Sequence, residues 1–276
     1  AAVELRGVWF RYERDGADVL RGTTLTVPEG SLFAVVGGNG TGKSTMLRAI
    51  CGVARPYRGK IPVLGRRLKD RKRAELFRGG VAMLSQDPLN LMVKKTVRGD
   101  LEEMLDGRGL TAGQRTAAVR EVAALTDIVP LLDAHPFDLS GGQKRRVAIA
   151  GVIAMEPRCI VLDEPTAMLD PKGRKDVIDT VKKLNKEKGI TVILITHHMD
   201  EAAQAGRVVV LNKGKIAADG TPREVFSQVK LLHDIGLAAP EGVELCWALN
   251  QKGFQLPLTA LEPEECAQVL YDWVKT

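Results

Sequence analysis

Short apolar runs and longer amphipathic segments alternate along most of the chain. Mainly apolar runs at 33–36, 159–162 and 190–195 predict strands that are covered on both faces, as in a parallel sheet. Residues 43–51 and 172–188 carry apolar side chains at helical spacing, which predicts helices with one buried face. This order of elements predicts an α/β fold with a mainly parallel core sheet.

Other segments add to this plan. Two short strands flank Asn212-Lys213-Gly214 and predict a hairpin. Residues 87–139 are polar with helical spacing, and we expect them to form an inserted helical subdomain. Residues 229–276 have weaker periodicity and are predicted to form a C-terminal extension to a main domain at 1–228.

Composition constrains the picture only slightly. Hydrophobic residues make up 45% and charged residues 27% of the chain, as in ordinary globular proteins, and no apolar run approaches the roughly 18 residues needed to cross a bilayer. A net charge of +6 suits anionic ligands, lipid headgroups or nucleic acid without selecting among them. We interpret the four cysteines as reduced, mostly buried thiols because they form no C-x-x-C pair; they are Cys51, Cys159, Cys246 and Cys266.

A glycine-rich motif separates the first apolar run from the first helix. Residues 37–44 match G-x-x-x-x-G-K-[ST], a P-loop in which glycines turn the backbone so that several N–H groups point at phosphates. The following helix adds its dipole. The motif predicts that Lys43 bridges the β- and γ-phosphates of ATP and that Ser44 ligates Mg²⁺. The expected nucleotide contacts are Gly37, Asn39, Gly40, Thr41, Gly42, Lys43, Ser44 and Thr45.

Two carboxylates follow the second apolar strand. Asp163 and Glu164 come directly after Leu162, so that a strand tip can hold Asp163 near a metal ion. Glu164 lies one residue further on and can reach an attacking water. Alone this pair also fits a strand-end turn, but with the P-loop upstream it indicates metal binding and general-base catalysis.

A second glycine-bearing helix start lies 23 residues before Asp163. Residues 139–143 read Leu-Ser-Gly-Gly-Gln, and this segment resembles the signature of ATP-binding-cassette ATPases. The resemblance implies a P-loop NTPase cassette with an antiparallel β subdomain. It also implies a head-to-tail dimer, in which the γ-phosphate held by one subunit is contacted by the other subunit's Ser140, Gly141, Gly142 and Gln143.

Four more positions match the family in order. Tyr12 resembles the aromatic that stacks on adenine, although Trp9 or Phe10 could take that place. Gln86 resembles the Q-loop glutamine, which senses Mg²⁺ and the γ-phosphate. Asp170 resembles the D-loop aspartate and also fits a helix N-cap, and His197 resembles the switch histidine that holds the γ-phosphate.

The spacing of the motifs favours one branch of the family. Gln86 and Ser140 are too close for the long coiled coil of DNA-repair members, and only one cassette is present, unlike the translation factors. Residues 232–265 resemble the C-terminal extension of energy-coupling-factor ATPases, which power uptake of vitamins, cobalt or nickel. The alternatives are another importer ATPase, a DNA-associated ATPase and a non-catalytic ATP sensor.

That resemblance implies partners and a location. The expected partners are a second cassette ATPase, identical or different, a transmembrane coupling subunit and a substrate-binding membrane subunit. We expect a cytoplasmic protein, peripheral on the inner face of the cell membrane. No nucleic acid is expected, because the basic segment at 66–73 lacks interleaved aromatic residues.

Overall fold

The computed structural model describes residues 1–67, 80–84, 93–106 and 108–275. The chain divides into two compact units that are each discontinuous in sequence. The first comprises Ala1–Val3, Pro28–Ser31 and Pro62–Ile193, and the second comprises Glu4–Val27, Leu32–Ile61 and Leu194–Thr276.

The described elements follow in chain order. The strands are β1 (Val3–Phe10), β2 (Leu20–Val27), β3 (Leu32–Val36), β4 (Arg58–Lys60), β5 (Pro62–Val63), β6 (Arg66–Arg67), β7 (Val81–Leu84), β8 (Cys159–Asp163), β9 (Thr191–Ile195), β10 (Arg207–Asn212) and β11 (Lys215–Gly220). The α-helices are α1 (Lys43–Ile50), α2 (Val97–Met104), α3 (Ala112–Leu125), α4 (Gly141–Ala154), α5 (Pro171–Lys188), α6 (Met199–Ala202), α7 (Pro222–Phe226), α8 (Val229–Asp234), α9 (Glu241–Asn250) and α10 (Pro263–Lys275). Two 3₁₀ turns precede α4, at Val129–Leu131 and Pro136–Asp138.

The first unit combines parallel strands with the helical insertion. Strands β7 and β8 pair in parallel, with Val81 opposite Cys159 and Leu84 opposite Leu162, and every residue of β8 is buried. Helices α2 and α3 and the two 3₁₀ turns lie within residues 87–139, where the sequence predicts a helical subdomain. The long helix α5 buries Val177, Ile178, Val181 and Leu184, which are the residues of its predicted apolar face.

The second unit is organised around β3. Strand β10 runs parallel to β3 and antiparallel to β11, which confirms the predicted hairpin. Strand β1 pairs antiparallel with β4, as expected of an antiparallel β subdomain. The hairpin turn places Lys213 and Gly214 at positive φ. A Cβ on Gly214 would lie 2.2 Å from the Val19 carbonyl oxygen, so only glycine fits this approach.

The C-terminal residues are helical despite their weak periodicity. Thr221 and Glu224 form a capping box, with the Thr221 N–H donating to Glu224 Oε2 at 2.8 Å and the Glu224 N–H donating to Thr221 Oγ1 at 3.3 Å. Arg223, in α7, donates to the Glu265 carboxylate of α10. Helices α7 to α9 pack over a core that includes Val225, Phe226, Leu232 and Val243, and the bond from Arg223 joins α10 to α7.

All four cysteines are buried and none of them forms a disulfide, which confirms the prediction made from their spacing. Burial raises the pKa of Cys51 to about 12. Two of the thiols nevertheless approach each other, since the sulfur atoms of Cys246 and Cys266 are 3.9 Å apart. Burial and, after it, the neighbouring Cys266 raise the pKa of Cys246 to about 11, so this thiol stays protonated at neutral pH.

None of the helices among the described residues is both long and apolar enough to cross a membrane.

Candidate functional site

The P-loop lies in the second unit, between β3 and α1. Helix α1 starts at Lys43 behind Gly42, which has φ 105° and provides no side-chain cap. The ammonium of Lys43 donates to the carbonyl oxygens of Gly37 at 2.7 Å and Gly38 at 2.8 Å. The Lys43 side chain is 6% exposed, so its charge is held against the loop rather than in bulk solvent.

Neighbouring backbone fixes the shape of the loop. The Gly214 N–H donates to the Thr41 carbonyl oxygen at 3.0 Å. A Cβ on Gly37 would lie 2.3 Å from the Leu211 carbonyl oxygen, and one on Gly42 would lie 3.0 Å from that of Val19. These glycines therefore allow β10 and the segment before β2 to press against the loop.

The loop chemistry fits a triphosphate and its metal ion. Backbone N–H groups at a helix start, together with a buried ammonium, match the donors that phosphate oxygens require. The exposed Ser44 hydroxyl is a hard oxygen ligand of the kind that Mg²⁺ prefers.

Tyr12 lies beside the P-loop helix. Its hydroxyl is 2.8 Å from Thr45 Oγ1 in a hydrogen bond, and its ring meets Phe10 edge-on at 4.9 Å. Tyr12 is 61% exposed, whereas Phe10 is 7% exposed. Of these two aromatics, Tyr12 is the one with a face open to stack on a base.

The two carboxylates lie in the first unit. Asp163 ends β8 and is 7% exposed. Glu164 has φ 49° and precedes Pro165, where a left-handed backbone is disfavoured. Such a conformation costs on the order of 1–3 kcal/mol and is concentrated at functional sites. The Ala167 N–H donates to the Glu164 carbonyl oxygen at 3.1 Å, so a tight turn holds the residue in place.

Helix α4 begins at the signature segment, also in the first unit. Ser140 is its N-cap: the Gln143 N–H donates to Ser140 Oγ at 3.3 Å, and the Ser140 N–H donates to Gln143 Oε1 at 2.9 Å. The N-terminus of α5 is similar, because the Gly173 N–H donates to Asp170 Oδ1 at 2.9 Å. Asp170 is thus the N-cap that the sequence predicts.

The starts of α4 and α5 pack closely through glycine. A Cβ on Gly142 would lie 3.1 Å from the Cα of Gly173, and a Cβ on Gly173 would lie 2.7 Å from Asp170 Oδ1. A cavity of about 430 Å³, the signature cavity, opens between the two helix starts. Its polar lining includes Ser140, Gln143, Arg146, Asp170, Lys172 and Asp176.

His197 follows β9 in the second unit and is exposed, while His198 is half-buried. The His198 N–H donates to Thr196 Oγ1 at 3.0 Å. The predicted Gln86 lies outside the described residues.

Several residues around these positions are not marked by any pattern in the sequence. From the sequence, Gly173 is only a glycine that weakens a helix, because no local pattern indicates its contact with Gly142. Arg146 and Lys172 line the signature cavity, although their charges resemble those of any exposed helix face. Thr196 and Glu201 are 1% and 3% exposed. A charged residue such as Glu201 is rarely buried, and this is the one property that could have drawn attention to the pair.

Comparisons with known proteins show the family to which the chain belongs. The family model described as "ABC transporter" matches residues 20–167, which is more than half of the chain. The Energy-coupling factor transporter ATP-binding protein EcfA1 of Geobacillus kaustophilus (strain HTA426) is 39% identical over 269 residues, covering 98% of this chain and 96% of that protein.

Solved structures give the same result. cbiO1 from Clostridium perfringens, part of the ABC transporter complex cbiONQ, has a TM-score of 0.78 and 32% identity, covering 85% of this chain and 94% of that one. The ATP-binding cassette MJ0796, in a dimeric post-hydrolysis state bound to ADP and Pi, has a TM-score of 0.70 and 29% identity, covering 80% of this chain and 99% of that one. The chain therefore belongs to the ABC transporter family and, within it, to the energy-coupling factor transporter ATP-binding proteins.

Proposed function

We propose that this chain is the ATP-hydrolysing motor subunit of an energy-coupling factor importer. The proposal rests on the share of the chain that matches an energy-coupling factor protein. The match to the energy-coupling factor protein covers 98% of the chain, including the C-terminal helices that lie beyond the cassette match at 20–167. A likeness confined to the cassette would support only an ATPase of unspecified role.

The proposed chemistry is attack of water on the γ-phosphate of ATP. Lys43 and the N–H groups at the start of α1 bind the phosphates and stabilise the negative charge that moves between their oxygens. Glu164 accepts the proton of the attacking water. Tyr12 stacks on the adenine, and His197 contacts the γ-phosphate.

Ser44, Asp163 and Gln86 are the proposed Mg²⁺ ligands, and the ion would neutralise charge on the β- and γ-phosphate oxygens.

The second half of each site is proposed to come from another ATPase subunit. The cavity at the start of α4 combines Ser140, Gly141 and Gly142 with Arg146 and Lys172, beside Asp170 and Asp176. The N–H groups at the helix start suit an anion presented from outside the chain. The dimeric state described for MJ0796 supports the same arrangement here. Asp170, at the start of α5, is proposed to couple the two sites.

The membrane partners follow from the family. We infer that a transmembrane coupling subunit docks on the helical subdomain and passes motion to a substrate-binding membrane subunit. The chain then acts on the cytoplasmic face of the cell membrane as a peripheral subunit, and the transported substrate is a vitamin or a metal ion.

The test is purification of the tagged chain from detergent-solubilised membranes of its source cells. We expect a transmembrane subunit to co-purify and the complex to hydrolyse ATP, with hydrolysis lost in Glu164→Gln. Purification without membrane proteins, together with ATPase activity stimulated by DNA, would contradict the importer assignment. Nucleotide binding without turnover in the intact complex would contradict the assignment as a motor.

A further inference from the structure

A buried threonine–carboxylate pair lies directly beside His197. Thr196 Oγ1 donates to Glu201 Oε2 at 2.6 Å, which is within the range for a hydroxyl bonded to a carboxylate. The two residues are 1% and 3% exposed. Glu201 lies on α6, a helix of only four residues, and an apolar side chain would fill this place without the cost of burying a carboxylate. The pair therefore calls for an explanation other than packing.

The same hydroxyl fixes the backbone on the far side of His197. A threonine hydroxyl has one proton and two acceptor lone pairs. Since its proton goes to Glu201, its oxygen is available as an acceptor, and the His198 N–H donates to it at 3.0 Å. The side chain of Thr196 thus spans His197 and ties the next residue to the start of α6.

The backbone of Thr196 is attached in turn to the strand that leads into the P-loop. Its N–H donates to the Val35 carbonyl oxygen at 3.4 Å, and Val35 lies two residues before Gly37 in β3. Thr196, Val35 and Glu201 all belong to the second unit. His197 is therefore held by neighbours on both sides, one of which is bonded to the strand that positions the phosphate-binding glycines.

We propose that Thr196 and Glu201 are positioning residues for His197. They hold the short segment after β9 so that the imidazole is presented at a fixed place relative to the P-loop. Neither residue contacts the nucleotide. The inference rests on the proposed function, in which His197 contacts the γ-phosphate, and it adds the two residues through which the chain fixes that contact.

The experiment compares Thr196→Val, which keeps the branched shape but loses the hydroxyl, with Thr196→Ser, which keeps the hydroxyl. Both are made in the transporter complex purified through this chain. We expect Thr196→Val to lower kcat by about a hundredfold, because a small displacement of a catalytic group has effects of that size. The affinity for ATP should not change, since the P-loop is intact, and Thr196→Ser should restore most of the turnover. Glu201→Gln provides a second variant and should lower kcat less, because its amide oxygen can still accept the Thr196 proton.

A purely structural role would lower thermal stability and turnover together in both Thr196 variants. The double variant with His197→Ala separates the mechanisms: once His197 is absent, Thr196→Val should have no further effect on kcat. The proposal would be overturned if the losses in kcat of the two single variants multiplied in the double variant, or if Thr196→Val kept full turnover. If His197→Ala alone kept full turnover, the role of His197 in the proposed function would fail first. A defective His197→Ala with a fully active Thr196→Val would refute the positioning pair alone.

Discussion

The starts of α1 and α4 are both rich in glycine, yet they are built differently. Helix α1 follows Gly42, which has a left-handed backbone and no side-chain cap. Helix α4 follows Ser140, whose side chain and that of Gln143 form a complete capping box. Both helix starts carry the positive end of a helix dipole.

The difference indicates separate tasks. At α1, no side chain caps the first-turn N–H groups and a buried ammonium stands beside them, as expected of a site that binds a triphosphate without help from a second subunit. At α4, the capping box uses part of the hydrogen-bond donors at the helix start. The other N–H groups suit further contacts to an anion that is already bound elsewhere. We therefore expect nucleotide affinity to depend on α1 and turnover to depend on both.

The largest effect is expected from Glu164→Gln. Loss of the general base should lower kcat by about 10²–10⁴-fold while leaving ATP affinity unchanged. ATP should then lock the subunits as a dimer, so that the contribution of α4 becomes measurable as dimer affinity by light scattering. The control is Glu187→Gln, an exposed position on α5. Full turnover by Glu164→Gln would remove the base assignment.

Ser140→Arg tests α4 directly. A long cationic side chain at the N-cap should block approach of the second subunit and lower turnover by roughly a hundredfold, with the nucleotide affinity of the monomer unchanged. Ser140→Thr keeps a capping hydroxyl and should remain active. Calorimetry with an ATP analogue measures the affinity and phosphate release measures the turnover. Normal dimerisation and turnover in Ser140→Arg would break the proposed division of tasks.

Lys43→Ala tests α1. Hydrogen bonds to charged groups contribute about 1.5–3 kcal/mol, so nucleotide affinity should fall roughly 10- to 100-fold. Lys60→Ala removes an equally basic but exposed side chain of the same unit and should bind normally. Unchanged affinity in Lys43→Ala would mean that the loop is not the nucleotide site.

The smallest effect is expected from Gln143→Glu. This substitution gives α4 a capping box with a carboxylate, like the box that Thr221 forms with Glu224. There the hydrogen bonds from the Thr221 backbone and hydroxyl lower the pKa of Glu224. A carboxylate at position 143 should likewise be charged at neutral pH and repel an incoming phosphate, lowering turnover by about tenfold at most. Because the folded-state pKa is lowered, the extra cap stability is present at neutral pH and is lost as the pH falls through that pKa.

Gln114→Glu is the matched control for this substitution. Thr111 and Gln114 form the same neutral box at the start of α3, away from the signature cavity. Turnover should fall only in Gln143→Glu, whereas the pH dependence of thermal unfolding should change in both variants. Equal turnover in the two variants would show that α4 receives no anion.

The sequence was sufficient for features set by local pattern. The helices predicted at 43–51 and 172–188 are found at Lys43–Ile50 and Pro171–Lys188, because periodic apolar faces and glycine punctuation determine them directly. The capping box at Thr221 and the N-cap at Asp170 are likewise local, since each involves residues three positions apart. The P-loop and signature motifs are contiguous, so their chemistry could be predicted before any contact was known.

Contacts between distant segments could not be predicted in this way. Cys246 and Cys266 are 20 residues apart, and no spacing rule brings two helical cysteines together. The Thr196–Glu201 bond crosses the turn between a strand and a four-residue helix, where neither the period of a strand nor that of a helix applies. Lys43 was expected to face phosphates, but its bonds to the Gly37 and Gly38 carbonyl oxygens depend on how the loop itself is folded.

The contact between Gly142 and Gly173 has a consequence for how the sequence can change over time. Two requirements restrict the residue at position 142. Its N–H is part of the signature segment, and the absence of a Cβ lets α5 approach. A methyl group at Gly142 would lie 3.1 Å from the Gly173 Cα, and one at Gly173 would lie 2.7 Å from Asp170 Oδ1, so a side chain at either position would be crowded. Descendants of this gene should therefore rarely change either glycine, and a substitution at the inconspicuous Gly173 should be as rare as one inside the motif itself.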